Sequence, residues 1–332
     1  MANSAFSSVS HRRRVSIFIA VAGFVALAAC LGILLWNNPM PFASEGWWLV
    51  ARMRGKSIAV IAVVAVCQAV ATVSFQTATQ NRIITPSIMG FEALYTLVQT
   101  SLVFFLGISG ISVIDGAPAF LLQTLIMVGF AVGLYMWLLS GRLGNLHIML
   151  LVGIILGSGL GALSQFMQRI MDPSTFDVLT ARLFGNISNA DTTNLTITVP
   201  IVGVTAGIIV LRSRVLNVLS LGRETATNLG INHKRQLMIT LFLVSILMAM
   251  TTSLVGPMTF FGFLVATLAY SLTDTYDHRV IFPAAMVLGF AVLSSAYFIL
   301  RHVFYAGGAV TVIIELVGGL AFLIVVMRKG RL

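Results

Sequence analysis

Ten long apolar segments, separated by short polar stretches, make up most of the chain. They cover residues 15–36, 57–75, 91–106, 119–139, 147–167, 195–211, 237–253, 256–272, 280–300 and 309–327. Their lengths are close to the roughly 20 residues that a helix needs to cross a bilayer. They lack the strict alternation of apolar and polar residues that is typical of a membrane β-barrel. Because backbone groups in lipid must be hydrogen-bonded within the segment, the pattern predicts an all-α, polytopic membrane protein with about ten transmembrane helices.

The composition agrees with this pattern. The chain is 58% hydrophobic and 9% charged, with a mean hydropathy of +1.00, whereas a soluble domain carries about 25% charged residues. Ten spans with short loops use up the 332 residues. We therefore expect one transmembrane domain, 1–332, with a short cytoplasmic N-terminal tail, 1–14. Any function must then lie within the membrane or in the short loops.

The basic residues predict the orientation. If the N-terminus is cytoplasmic, 14 of the 20 Lys and Arg residues lie on the inner side and the other six on the outer side, as the positive-inside rule requires. An even number of spans then leaves both termini in the cytoplasm. The net charge of +10 is spread along the loops rather than gathered on one polar face, so no nucleic-acid partner is expected. The six outer basic residues are Arg52, Arg54, Lys56, Arg169, Arg182 and Arg301.

Catalytic and cofactor-binding motifs are not recognisable. The five histidines are scattered without the spacing of metal ligands. Gly55, Lys56 and Ser57 resemble the end of a phosphate-binding loop, but Val50 stands where that motif requires its first glycine. No nucleophile, base and carboxylate form a recognisable set. We predict a chain that is not an enzyme, has no metal site and binds no cofactor itself.

Two carboxylates lie inside apolar segments, where a charge is costly and usually faces a cavity, a partner or a neighbouring helix. Glu315 lies in the last segment, three residues before Gly318 and Gly319. It either lines a substrate path, contacts a second subunit or is bonded to a neighbouring helix. Glu92 begins the third segment, where a helix N-terminus favours negative charge, so a structural role is preferred. Either residue is also a candidate proton carrier, in the alternative of a proton-coupled secondary transporter.

Two polar regions are candidates for partner binding. The cytoplasmic loop 219–235 reads LSLGRETATNLGINHKR; it is longer than a connection needs and long enough for two short helices. On the outer side, Arg52, Arg54 and Lys56 precede the second segment and Arg301 ends the ninth. Basic residues that oppose the positive-inside trend are candidates for an acidic partner, and snorkelling from helix ends is the alternative.

Several stretches resemble the permeases of iron-siderophore (ferric chelate or cobalamin) ABC importers, the type II importers. Residues 76–92 resemble the family segment Asn-Pro-Leu-Ala-x-Pro-x-x-Leu-Gly, with Asn81, Pro86 and Gly90 at matching places. Residues 256–272, followed by Asp-His-Arg at 277–279, resemble another family region. The loop resembles the family's ATPase-contacting loop at six positions, namely Leu221, Gly222, Glu224, Ala226, Leu229 and Gly230.

The chain departs from the family pattern before the second span, where the usual Arg-Leu-Pro-Arg is replaced by Arg-Met-Arg-Gly-Lys at 52–56. The stretches NRIITPSIMGFE and IIELVGG together are similar to a subgroup that serves catecholate or mixed carboxylate siderophores. The resemblance covers nearly the whole chain and implies a permease subunit that imports a ferric siderophore across the bacterial cytoplasmic (inner) membrane.

The resemblance also implies partners and sites. ATP and Mg²⁺ would be bound by a separate cytoplasmic ATPase dimer, which the loop 219–235 would contact. An extracytoplasmic siderophore-binding protein would dock on Arg52, Arg54, Lys56 and Arg301. A second permease, identical or related, would share the translocation path, which we expect between the fifth span, a surface helix near 176–184 and the tenth span. The residues predicted on that path are Gln165, Phe176 and Glu315.

Overall fold

The structure is a computed structural model that describes residues 6, 8–113, 116–140, 146–183, 187, 190, 192–304 and 310–329. These residues form helices and connecting turns without any β-strand, so the all-α prediction is confirmed. The helices are α1 Val9–Leu35, α2 Glu45–Thr79, α3 Phe91–Val113, α4 Ala117–Ser140, α5 Leu146–Ile170, α6 Pro173–Leu183, α7 Leu195–Leu211, α8 Ser213–Leu219, α9 Arg223–Asn228, α10 His233–Val255, α11 Phe261–Thr273, α12 His278–Phe298 and α13 Val310–Lys329.

The long helices coincide with the ten apolar segments. In the described part of the chain, seven helices are long and apolar enough to cross a membrane: α1, α2, α4, α5, α7, α10 and α12. The third, eighth and tenth segments correspond to shorter apolar helices in α3, α11 and α13. A multi-pass membrane protein is therefore confirmed, whereas the count of ten spans and the cytoplasmic termini stay predictions. Arg142 and Arg331, both counted on the inner side, and the start of the tenth segment at 309 lie outside the described residues.

Helix α2 is the central element and is much longer than its apolar segment. It begins at Glu45, after Ser44, whose hydroxyl accepts a hydrogen bond from the Trp47 backbone N–H at 3.1 Å. Its 35 residues span about 52 Å at 1.5 Å per residue, against about 30 Å of bilayer hydrocarbon. The outer turns therefore extend beyond the hydrocarbon, while the inner half is buried against α7, α10, α11 and α12.

Two irregular backbone segments interrupt the helical core. Helix α3 is broken at Gly107, which has φ 64° and ψ −173°. Between α10 and α11, residues 256–260 are not helical, and the segment begins with Gly256 at φ 83°. Close packing continues beside it, because a Cβ on Gly262 at the start of α11 would overlap the Thr72 hydroxyl of α2. Within the segment, Gly256 and Met258 are buried and the other three residues are half-buried.

The polar loop 219–235 differs from its prediction. We expected two short helices within 219–235, but only α9 lies wholly within it. The other short helix, α8, begins earlier, at Ser213, directly after α7. Helix α8 begins before the predicted loop because Leu216 and Leu219 are buried against the spans. It therefore packs as part of the apolar core, whereas α9 is formed by the polar residues of the loop. The predicted surface helix is present as α6; residue 184 at its predicted end lies outside the described residues.

Candidate functional site

The candidate coupling loop is shaped by two glycines on either side of α9. Gly222 has φ 97° and ψ 167°, a conformation that essentially only glycine adopts. After α9, Gly230 has φ 81°, its N–H donates to the Thr227 carbonyl at 2.9 Å, and the Ile231 N–H donates to the Ala226 carbonyl at 3.0 Å. These two bonds are those of a Schellman motif, which satisfies the last carbonyls of a helix. The loop therefore has a defined backbone path.

The outward face of this loop combines apolar and acidic groups. Leu221 and Leu229, which flank α9, are 57% and 60% exposed, and Glu224 in its first turn is also exposed. Ala226 is fully buried and holds the helix against the body of the protein. Two exposed leucines on an otherwise polar loop form a small surface suited to a protein partner. The six predicted coupling residues are thus brought together in one short stretch around α9.

Helix α8 joins this loop to the inner ends of the spans. The Gln80 side chain, which follows the last residue of α2, donates to the Leu219 carbonyl at 3.3 Å. Asn217 donates to the Asp277 carboxylate at 3.0 Å. Burial acts to raise the pKa of Asp277, but the hydrogen bonds from Asn217 and the Arg279 backbone, with the Arg279 charge, bring that pKa below its ordinary value. Asp277 is therefore a stable anionic anchor for α8.

The basic residues predicted to dock a binding protein have different surroundings. Arg52 and Lys56 are exposed on the outer part of α2. Arg54 instead donates to three backbone carbonyls at the end of α1, those of Ile33 at 3.1 Å, Trp36 at 2.8 Å and Asn37 at 3.2 Å. The last carbonyls of a helix have no partner within it, and a cation there is favourable. Arg54 therefore has a structural task, and its docking role stays a prediction.

Arg301 extends the basic surface to the end of α12. It lies in the π-helical turn Ile299–Val303, is exposed and donates to the Tyr297 hydroxyl at 2.9 Å. Its charge is close enough to that of Arg54 for the two to repel each other. The fold thus gathers the outer ends of α2 and α12 into one positively charged region, although the two elements are far apart in sequence.

Gln165, Phe176 and Glu315, predicted on the path, line two adjoining cavities. One, of about 440 Å³, lies between the end of α5 and the start of α6 and includes Gln165. The other, of about 330 Å³, lies between α6 and α13 and includes Glu315. Phe176 and Gln168 line both. Three further lining residues, Gln168, Thr180 and Thr311, were not predicted from the sequence. Gln168 could have been predicted, because it lies three residues after Gln165 on the same helix face.

Both intramembrane carboxylates point to the irregular segment 256–260. Glu92 accepts a hydrogen bond from the Met258 backbone N–H at 3.0 Å and another from the Thr259 hydroxyl. Glu315 lies near the same segment and lines a cavity together with Pro257. Next to it, a Cβ on Gly318 would lie 2.7 Å from the Cβ of Phe260, so α13 crosses this segment closely.

These bonds give Glu92 a structural role at the head of α11, where free backbone N–H groups attract negative charge. The sequence predicted that Glu92 stabilises the start of its own helix, α3. Its contact with the start of α11 was not predicted. The alternative of a proton-coupled transporter with either residue as carrier is not supported. Among the described residues, no three His, Cys, Asp or Glu side chains converge as metal ligands.

Comparison with known proteins identifies the family. The sequence profile of the FecCD transport family matches residues 15–328. This chain belongs to that family. The chain is 47% identical over 329 residues to the petrobactin import system permease FatC of Bacillus anthracis, covering 99% of this chain and 93% of that one. It is 33% identical over 313 residues to the petrobactin import permease YclO of Bacillus subtilis, covering 94% and 98%.

A solved structure has a similar fold. An inward-facing ABC transporter assigned to the metal-chelate type superposes with a TM-score of 0.79, over 94% of this chain and 99% of that one. At 19% identity this likeness bears on the fold alone. The family match and the 47% identity confirm the resemblance to iron-siderophore ABC importer permeases at the level of the family.

Proposed function

We propose that this chain is the permease subunit of an ABC importer that moves a ferric siderophore across the bacterial cytoplasmic membrane. The observation that carries this proposal is the 47% identity to a petrobactin import permease over 99% of the chain, within a family match that extends from 15 to 328. Petrobactin, a ligand named for two relatives, is accordingly the first siderophore to test. The chain itself performs no chemistry and binds no cofactor.

Coupling to ATP is assigned to the loop 219–235. A cytoplasmic ATPase dimer, which holds ATP and Mg²⁺, receives Leu221, Leu229 and Glu224 in a surface cleft. In support, these side chains are exposed, whereas Ala226 beneath them is buried. Gly222 and Gly230 set the turns that present them.

Delivery of the siderophore is assigned to the outer ends of α2 and α12. Arg52, Lys56 and Arg301 are exposed there, and α2 is long enough to carry the first two beyond the hydrocarbon. An extracytoplasmic siderophore-binding protein with acidic residues on its surface complements them, which increases the rate of encounter and fixes its orientation. Arg54 contributes charge to this region while it holds the end of α1.

The translocation path is completed by a second permease subunit, either another copy or a related chain. The two cavities around Phe176 lie beside α5 and α13. Both helices also present large apolar side chains outward, among them Ile155 and Phe166 on α5 and Leu316 and Leu320 on α13. A second subunit covers part of these faces and closes the path, and lipid covers the remaining apolar surface.

Purification of the complex tests this function. The tagged chain is produced with the products of its neighbouring genes, purified in detergent and reconstituted in proteoliposomes with iron-loaded petrobactin outside. We expect an ATPase to co-purify, uptake to require ATP, and both to be lost when 219–235 is deleted. If the chain purifies without an ATPase and takes up the chelate with a proton gradient alone, the proposal is wrong.

A further inference from the structure

A chain of hydrogen bonds between half-buried and buried side chains links the coupling loop to the central helix. Asn217 of α8 accepts a hydrogen bond from the His278 backbone N–H at 3.0 Å, and the His278 ring Nδ1 lies 2.5 Å from the same amide oxygen. On the other side of the ring, Nε2 lies 2.6 Å from the Thr77 hydroxyl of α2. His278 and Thr77 are 2% and 7% exposed. The three side chains, from α8, α12 and α2, form what we call the inner-end network.

The contacts of this network are mutually consistent. Asn217 donates its amide N–H to Asp277, so its oxygen must be the atom that faces His278. That oxygen can only accept, hence the imidazole proton lies on Nδ1. The Nε2 atom of the neutral ring is then an acceptor, and the Thr77 hydroxyl shares its one proton between Nε2, at 2.6 Å, and the Val73 carbonyl, at 2.8 Å. Rotation of the Asn217 amide would break its bonds to Asp277 and His278, and rotation of the ring would break its contacts with Asn217 and Thr77.

The position of the network is as informative as its bonds. Thr77 lies two residues before the end of α2, the helix that packs against α7, α10, α11 and α12. Asn217 lies two residues before the end of α8, next to the turn that leads into α9. His278 begins α12, which also carries Arg301 on the opposite side of the membrane. A displacement of the loop 219–235 therefore reaches the core through fixed hydrogen bonds and not through flexible chain.

We propose that Asn217, His278 and Thr77 are positioning residues that convert movement of the coupling loop into movement of α2 and α12. This inference rests on the proposed function, since it requires an ATPase that moves the loop. Packing of Leu216 and Leu219 attaches α8 to the same helices, and such apolar contacts tolerate sliding. Directional hydrogen bonds between buried groups resist it. The network therefore determines how much of each ATPase cycle reaches the path.

A matched set of variants at the end of α2 tests the network. Thr77→Val keeps the shape of the side chain but removes the hydroxyl, and Thr77→Ser keeps the hydroxyl. Thr79→Val is the control, because the Thr79 hydroxyl is also buried and donates within α2 to the Phe75 carbonyl at 2.8 Å, the same kind of bond that Thr77 makes to the Val73 carbonyl. Thr77 differs in its additional contact with His278. The complete complex is reconstituted in proteoliposomes, and uptake of iron-loaded petrobactin and ATP hydrolysis are measured in the same vesicles.

We expect Thr77→Val to assemble with the ATPase and hydrolyse ATP, but to transport about fivefold less petrobactin per ATP, the factor that corresponds to one lost hydrogen bond. Thr77→Ser and Thr79→Val should keep the wild-type ratio. A Thr77→Val complex with the wild-type ratio, or a Thr79→Val complex that loses as much, would overturn the inference. Failure of the proposed function is recognised separately, because the unaltered complex would then show no ATP-dependent uptake.

Discussion

Single residues in this protein have roles that depend on their backbone conformation and on their exact partners. Gly222 is required by its φ of 97°, Glu92 by the N–H and hydroxyl donors of residues 258 and 259, and Thr77 by one imidazole nitrogen. The partners of Glu92 and Thr77 are far from them in sequence, whereas the conformation of Gly222 belongs to a local turn. A substitution therefore acts by leaving a specific buried group without its partner, and the size of its effect follows from that group.

At Gly222, we expect Gly222→Ala to weaken binding of the ATPase. The conformation costs a residue with a Cβ about 1–3 kcal/mol, and the new Cβ would lie 3.3 Å from the Gln80 side chain that contacts α8. The turn between α8 and α9 shifts, and the exposed leucines move with it. Co-purification of the ATPase with the tagged chain measures the effect. Gly129→Ala is the control, since a Cβ at that position in α4 meets nothing within 4 Å; an equal loss there would contradict the prediction.

At Glu92, we expect Glu92→Ala to lower the free energy of unfolding by roughly 1–3 kcal/mol, because it leaves the buried Met258 N–H without an acceptor. Glu92→Gln should lose much less, since its amide oxygen still accepts from Met258 and its N–H₂ group can donate to Thr259. Thermal unfolding in detergent and petrobactin uptake are measured for both. A stable Glu92→Gln variant without any uptake would instead favour a proton-carrying carboxylate.

At the scale of the elements, helix ends are where prediction from sequence was incomplete. Apolar length located the spans, and α7 even has the predicted bounds, 195–211. The same pattern missed the first turns of α2, because residues 45–56 are helical without being uniformly apolar. It also placed the first short helix of the loop too late, since burial of Leu216 and Leu219 depends on neighbouring helices. Hydropathy thus predicts where a helix meets lipid and says little about where it begins.

Arg54 shows the same limit for the function of a residue. From sequence, Arg52 and Arg54 were equivalent members of a basic cluster. In the structure they lie on different faces of α2, so that Arg52 is exposed whereas Arg54 contacts the end of α1. We expect Arg54→Ala to lower the free energy of unfolding by about 1–3 kcal/mol, because up to three carbonyl acceptors lose a charged donor. Arg54→Lys should restore only part of this, since one ammonium does not reproduce the guanidinium fork.

For Arg52→Ala, by contrast, we expect unchanged stability and slower association with the siderophore-binding protein, with a difference that shrinks at high salt. Thermal unfolding separates the two arginines, and association kinetics at two salt concentrations measure docking. If Arg52→Ala unfolds at a lower temperature and Arg54→Ala does not, the assignment of these two side chains is reversed.

At the scale of the whole molecule, the sites are built from elements that only the fold brings together. Gln165, Phe176 and Glu315 are on three helices, and the prediction that they share a path came from family resemblance, not from spacing. The structure places them around two cavities that share Gln168 and Phe176. The inner-end network likewise joins residues 77, 217 and 278 across the bundle. Such relations require tertiary structure, because no local pattern marks a polar residue as the partner of another 201 positions away.

The cavity between α6 and α13 allows the path to be tested without disturbing either end of the protein. Thr180 lines this cavity of about 330 Å³, so we expect an indole introduced by Thr180→Trp to obstruct it and to abolish most petrobactin uptake. The coupling loop and the basic region lie outside the cavity, so ATPase co-purification and association of the binding protein should persist. Val204→Trp, at a 64% exposed position on α7, adds the same bulk outside the cavity and should leave uptake intact. Normal uptake by Thr180→Trp would mean that the siderophore passes elsewhere, because an indole in the cavity leaves too little room for a chelate.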